Sequence, residues 1–146
     1  MPTTKIGRST WQKMKSHALS CFPDECVGIF ECLPSRTPMV LDAFPCRNVS
    51  RTKRFQSMIS KRDKKALAAK MAAGRRKGLL YGVYHSHPNT GSLGLSEDDK
   101  FWGRRYKRYG IQIILGITKN SNGLVVKRAF WKASGRRWTE RKMEVG

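Results

Sequence analysis

Apolar positions along the chain fall into two spacings that alternate in blocks. Trp11, Met14, His17 (or Ala18) and Cys21 recur every three to four residues behind Ser9 and ahead of Pro23, which predicts a helix over about 10–20 capped by Ser9. Residues 25–33, ECVGIFECL, have few polar interruptions and predict a strand; Pro34, Ser35 and Pro38 then turn the chain into a second strand over 39–44, an early hairpin. Beyond Pro45 the chain to Ser60 is irregular and basic. SKRDKKALAAKMAAGRRKG predicts a helix with Ser60 as cap, an alanine-rich body and Gly78 as stop. A short strand at 79–85, LLYGVYH, runs into HSHP and a glycine-containing loop, NTGSLGL. Ser96 then caps EDDKFWGRRYKRY, whose acids come first and bases last, as the helix dipole favours. Strands over 111–118, 124–132 and 136–145 complete the pattern, with hairpin signals at Asn122-Gly123 and Ser134-Gly135. The order α, β, β, α, β, α, β, β, β predicts a mixed sheet wrapped by helices on a single core.

A length of 146 residues suits one domain, 1–146, and excludes a propeller, a TIM barrel or a multidomain enzyme. The 39% of apolar residues suffices for a core. The chain lacks the roughly 20 consecutive apolar residues of a membrane span, and its start lacks the apolar core of a signal peptide, so a cytoplasmic protein with no membrane role is expected. Cys21, Cys26, Cys32 and Cys46 form no C-x-x-C pair or zinc-ribbon spacing and read as buried thiols.

Charge changes the picture most. Thirty Lys and Arg face ten Asp and Glu, a net +20 that an acidic partner or counterions must relieve. Residues 51–146 carry 24 of the bases and only six acids, three of them consecutive: Glu97, Asp98 and Asp99. An acidic run inside a basic segment marks a place to look for chemistry.

His85 and His87 stand two apart at a strand end, where i and i+2 share a face about 6.5 Å apart, so both imidazoles can reach one metal ion. An H-x-H pair alone is a weak sign. Ser96 and Asp99 add an N-cap and a first-turn carboxylate, and the cap orients Asp99 as a third ligand must be oriented. Two histidines and one carboxylate leave zinc one open position, the composition of a catalytic site. Hydrolysis there also needs a base to take a proton from water and return it to the leaving amine; Glu25, at the head of the first strand, is the candidate.

Taken together, Pro23-x-Glu25-x-x-Gly28 and His85-Ser86-His87-Pro88 followed at the stated spacing by Ser96 and Asp99 resemble the JAMM (MPN+, JAB-type) metalloprotease signature, E … H-S/T-H-P-x7-S-x2-D, over about 9–131. The compact form of the chain is similar to prokaryotic members. The resemblance implies an α/β fold of the α+β type, a mixed curved sheet flanked by helices, JAB/MPN-like and cytidine-deaminase-like. It implies zinc-dependent cleavage of isopeptide or peptide bonds after ubiquitin-like or sulfur-carrier domains, the substrate tail lying along an exposed strand edge as an added strand. It assigns His85, His87 and Asp99 to Zn2+, Glu25 to general acid/base catalysis and Ser96 to holding the oxyanion.

A second reading stands beside it: a nucleic-acid-binding module that uses the same scaffold. Its support is the basic surface over Arg51, Lys53, Arg54 and the 61–77 helix, with Arg104, Arg105, Lys107 and Arg108 interleaved with Trp102, Tyr106 and Tyr109. The helical spacing of those three aromatics predicts core positions instead, and the basic surface would serve an acidic protein equally well.

Overall fold

The computed structural model describes residues 3–105 and 110–146. Its elements follow in the order β1 (Thr3–Ile6), α1 (Arg8–Cys21), β2 (Val27–Leu33), β3 (Met39–Cys46), α2 (Lys61–Arg76), β4 (Leu80–His87), α3 (Glu97–Arg105), β5 (Ile111–Asn120), β6 (Gly123–Ser134) and β7 (Arg137–Val145). Around the sheet the strands run β1-β3-β2-β4-β5-β6-β7, and β7 returns to β1, so the mixed curved sheet closes into a barrel. Pairing is parallel at β4–β5 and at both sides of β1, and antiparallel elsewhere.

The periodicity does not reveal β1. TTKI is four residues long, too short for alternation to register, and its evidence is tertiary: Thr4 and Ile6 are buried, and the strand pairs with Lys142–Val145 and Met39–Val40. The ring of strands has no first or last member, yet its closing pairings are short: β1 covers only Met39 and Val40 of β3, and β7 covers only Phe130–Ser134 of β6. Helix α1 starts at Arg8 with Gly7 as its cap, and no side chain caps it, so Ser9 lies inside the first turn. The second strand starts at Val27, since residues 25 and 26 are held by other partners, and β3 continues through Pro45 to Cys46, where it still pairs with Val27. Ser60 caps α2 as expected, accepting a hydrogen bond from the Asp63 amide.

Strand alternation divides the core in two. Gly82, Tyr84 and Ser86 of β4 face one way, with Tyr84 in the cluster under α1 that holds Ile6, Met14, Phe30 and Phe130. Tyr81 and Val83 face the other way, into a cluster with Val27, Ile29, Ile59 and Met71 under α2. Gly28 is a glycine for space, since a Cβ there would overlap the Tyr84 ring. The four cysteines are free thiols; Cys26, Cys32 and Cys46 are buried, and burial pushes Cys26 and Cys46 up to about 12. No described helix is long and apolar enough to cross a membrane.

Candidate metal centre

The alternation that sends Tyr81 and Val83 under α2 places His85 and His87 at the open end of the same face. His85 pairs in register with Val27, so Glu25, two residues earlier, arrives on that face as well. His85 and Glu25 are both buried. Asp99 comes from the first turn of α3, and one ligand atom each of His85, His87 and Asp99 lies within 4.8 Å of the others.

Each of the three is oriented by its surroundings. His87 Nδ1 is 2.9 Å from the Ser92 carbonyl, which can only accept, so Nδ1 carries the proton and Nε2 presents its lone pair toward Asp99 Oδ2 at 3.6 Å. The Ser92 loop is in turn fixed by Trp131, whose indole N–H donates to the Leu93 carbonyl at 2.8 Å, and by the packing of Gly91 against Gly116 of β5. Asp99 and Ser96 form a reciprocal capping box: the Ser96 amide donates to Asp99 Oδ2 at 2.8 Å and the Asp99 amide to Ser96 Oγ at 3.1 Å. Ser96 Oγ therefore accepts within the cap and keeps its own proton to donate. Gln112, fully buried on β5, donates from Nε2 to the Asp99 carbonyl at 2.9 Å and pins the α3 turn to the barrel.

Glu25 is positioned from its backbone. Its amide donates to the Lys53 carbonyl at 2.6 Å, and its carbonyl accepts from Asn48 Nδ2 at 2.9 Å. Asn48 also donates to the Gln56 carbonyl and accepts from the amides of Ser50 and Met58, so one side chain organises the whole 48–58 segment around Glu25. The Glu25 carboxylate stands 3.4 Å from His85 Nδ1, on the opposite side of the ring from Asp99 Oδ1, which is 3.0 Å from Nε2.

A buried imidazole between two carboxylates favours a positive charge at this point. Burial alone would depress His85, but the Asp99 charge, with a smaller contribution from Glu25, outweighs it and raises His85 to about 10. Burial alone would raise Asp99, but the histidines and the Ser96 amide hold it well below the usual carboxylate range. Neither buried ring nitrogen of His85 makes an aligned hydrogen bond, although carboxylates stand on both sides. Two imidazoles, one of them buried with no aligned hydrogen bond, and a carboxylate are a donor set that fits a zinc ion, whose charge would take the place of the proton on His85.

These groups line a groove of about 820 Å³. One segment of its lining is Arg54–Met58; another comprises Leu95, Ser96, Asp98, Asp99, Phe101 and Trp102. Phe55, Met58, Phe101 and Trp102 are its exposed apolar members. Trp102 thus faces the groove at 40% exposure and is not a core residue, because α3 packs through its first turn and leaves this side of the helix open. The companion expectations for Tyr106 and Tyr109 lie outside the described residues.

Every residue singled out from the sequence, Glu25, His85, His87, Ser96 and Asp99, therefore lines one groove. Asn48, Gln112 and Trp131, which hold the centre in place, were not among them. Gln112 had a visible signal, a lone amide inside the apolar run IQIILGI; Asn48 and Trp131 act through distant backbone carbonyls and had none.

The family model for prokaryotic homologs of the JAB domain matches residues 7–132. Among solved structures, a protein from Desulfitobacterium hafniense is similar with a TM-score of 0.65 at 20% identity, covering 98% of this chain and 92% of that one. A JAB1/MPN domain protein from Archaeoglobus fulgidus is similar with a TM-score of 0.54 at 19% identity, covering 98% and 96%. No curated protein matches the sequence.

Proposed function

The chain belongs to the family of prokaryotic JAB-domain homologs, and on that premise we propose that it is a zinc-dependent peptidase or isopeptidase that cuts after the C-terminal tail of a ubiquitin-like or sulfur-carrier protein. The observation that carries this reading is the convergence of His85, His87 and Asp99 within 4.8 Å, with the Glu25 carboxylate beside them. His85 and His87, through Nε2, and the Asp99 carboxylate would hold the metal. Zinc bound there would supply Lewis acidity toward the scissile carbonyl and toward water.

The chain's own residues perform the rest. Glu25 takes a proton from the attacking water as the carbon–oxygen bond forms, then gives it to the departing amine as the carbon–nitrogen bond breaks. The Ser96 hydroxyl, with its proton unused by the capping box, donates to the carbonyl oxygen as charge gathers on it. The substrate tail lies in the groove between the 54–58 segment and α3, which the metal centre also lines.

The test compares wild type with Glu25→Gln on a fusion carrying a ubiquitin-like domain and its diglycine tail. Glu25→Gln should keep its zinc and lose roughly 10²–10⁴-fold in turnover. Equal turnover at equal zinc content would remove this mechanism.

A further inference from the structure

The turn over residues 51–55 is basic, exposed and stitched to the metal centre from two sides. The Lys53 carbonyl holds the Glu25 amide at 2.6 Å, and the Arg54 carbonyl accepts from Asn89 Nδ2, in the loop after His87, also at 2.6 Å. Because both anchors use main-chain oxygens, the side chains of Arg51, Lys53 and Arg54 project from a fixed rim. Ser60 caps α2, whose first five residues include exposed Lys61 and Lys65, and Lys64 lines the groove together with Arg54.

Intramolecular acids do not neutralise Arg51, Lys53 and Arg54 on the turn or Lys61 and Lys65 on α2. Among the described residues, the ion pairs between Lys or Arg and a carboxylate outside the centre are Lys13–Asp42 and Lys100–Glu97, and Asp63, the acid on α2, accepts from the Arg47 amide and the Ser60 hydroxyl. Arg51, Lys53, Arg54, Lys61 and Lys65 therefore face solvent without a carboxylate partner. The other segment of the groove has the opposite character: Asp98 and Asp99 line it, beside exposed Phe101 and Trp102.

We propose that the groove docks an acidic polypeptide segment, its Asp and Glu side chains on the 51–54 turn and the start of α2, and a bulky apolar side chain among Phe55, Met58, Phe101 and Trp102. This deepens the peptidase reading and rests on it for the claim that the segment belongs to a substrate. The charge arrangement selects a polypeptide over a nucleic acid. A phosphate backbone carries a charge at every unit and would press some of them against Glu25 and Asp98, the groove carboxylates outside the metal's ligand set. A peptide backbone is neutral, so acidic side chains can stand only where the rim is basic while uncharged main chain crosses the carboxylates.

Fluorescence anisotropy with zinc-loaded protein tests this on three labelled probes: a Glu-rich peptide with one Leu and one Phe, its Gln-substituted twin, and a single-stranded oligonucleotide of equal charge. The acidic peptide should bind roughly tenfold more tightly than its twin and more tightly than the oligonucleotide, and Arg51→Glu/Lys53→Glu should remove most of that preference. Arg51→Gln/Lys53→Gln, a milder change, should lose an intermediate share, with zinc content checked in both variants. Equal binding of the two peptides, tighter binding of the oligonucleotide, or indifference to both double variants would overturn the proposal. Cleavage of the fusion substrate is measured in parallel. Lost cleavage with the acidic preference intact sinks the peptidase reading alone, and intact cleavage without the preference sinks the docking alone.

Discussion

The Cys26 amide donates to Ser86 Oγ at 2.8 Å, and the Ser86 amide donates back to the Cys26 carbonyl at 3.2 Å. The serine between the two histidines points away from them, to the opposite face of β4, and clasps the residue that follows Glu25. Both groups are buried, so Ser86→Ala leaves an amide without a partner. Its expected cost is roughly 1–3 kcal/mol in denaturant unfolding, with no change in the chemistry of any groove residue. A loss within experimental error would show that this clasp contributes nothing to the stability of the fold.

Asp99→Asn keeps the size of the side chain and an oxygen for the Ser96 amide, but removes the negative charge beside both histidines. Zinc retention should collapse in this variant and persist in Glu25→Gln, as read by metal analysis after dialysis. Equal zinc in wild type and Asp99→Asn would remove Asp99 from the ligand set.

On the proposed mechanism Ser96 has two separable duties. Ser96→Ala should lose about 1 kcal/mol from the α3 cap and about 10²–10³-fold in turnover. Ser96→Asp caps nearly as well but, ionised, has no proton to donate, so it should recover the stability and none of the turnover. Recovery of both would leave the serine as a cap only.

Gly91 has φ +65°, and a Cβ there would overlap Thr118 Cγ2 on β5. Gly91→Ala must shift the loop that brings the Ser92 carbonyl to His87, freeing the imidazole to turn. Zinc affinity should fall roughly 10–100-fold while the barrel keeps its unfolding temperature within a few degrees. Competition with a chromophoric chelator reads the first and calorimetry the second.

Asp63 supplies a pH dependence remote from the metal centre. The Arg47 amide and then the Ser60 hydroxyl, both donating to Oδ2, hold its carboxyl below the usual range. Because the folded value is the lower one, this stabilisation is complete above the unfolded value of about 3.9 and is lost as pH falls through the folded value. Asp63→Asn should therefore be less stable than wild type at neutral pH, and the gap should close in acid. A gap that persists at the lowest pH would assign the loss to packing.

Legibility in the sequence followed the range of the forces involved. The spacing that puts His85 and His87 on one face and the Ser96–Asp99 capping box are local, so both could be read from the chain. Glu25 could be named, but what fixes it, Asn48 and the Lys53 carbonyl, depends on a loop whose basic composition carried no pattern. Trp102 was misplaced because helical spacing says that a stripe shares a face, not which way that face looks. Strand β1 stayed hidden for a related reason: four residues become a strand only when distant segments supply both neighbours.

That strand also bears on the order of assembly. The barrel seam joins Thr3–Ile6 to Lys142–Val145, so its closure spans nearly the whole chain, whereas the β2–β3, β5–β6 and β6–β7 hairpins close over short turns. Loop-closure entropy sets the seam last, after β4 has settled between β2 and β5 and brought the two histidines to Glu25. Pulsed hydrogen exchange during refolding should then find the amides of β4 protected before the Gly146 amide, which donates to the Ile6 carbonyl across the seam, whereas the Lys5 amide, held by nearby Pro38, need not lag. On that order the groove takes shape within an open sheet, and the β1–β7 seam is the latch drawn across it at the end.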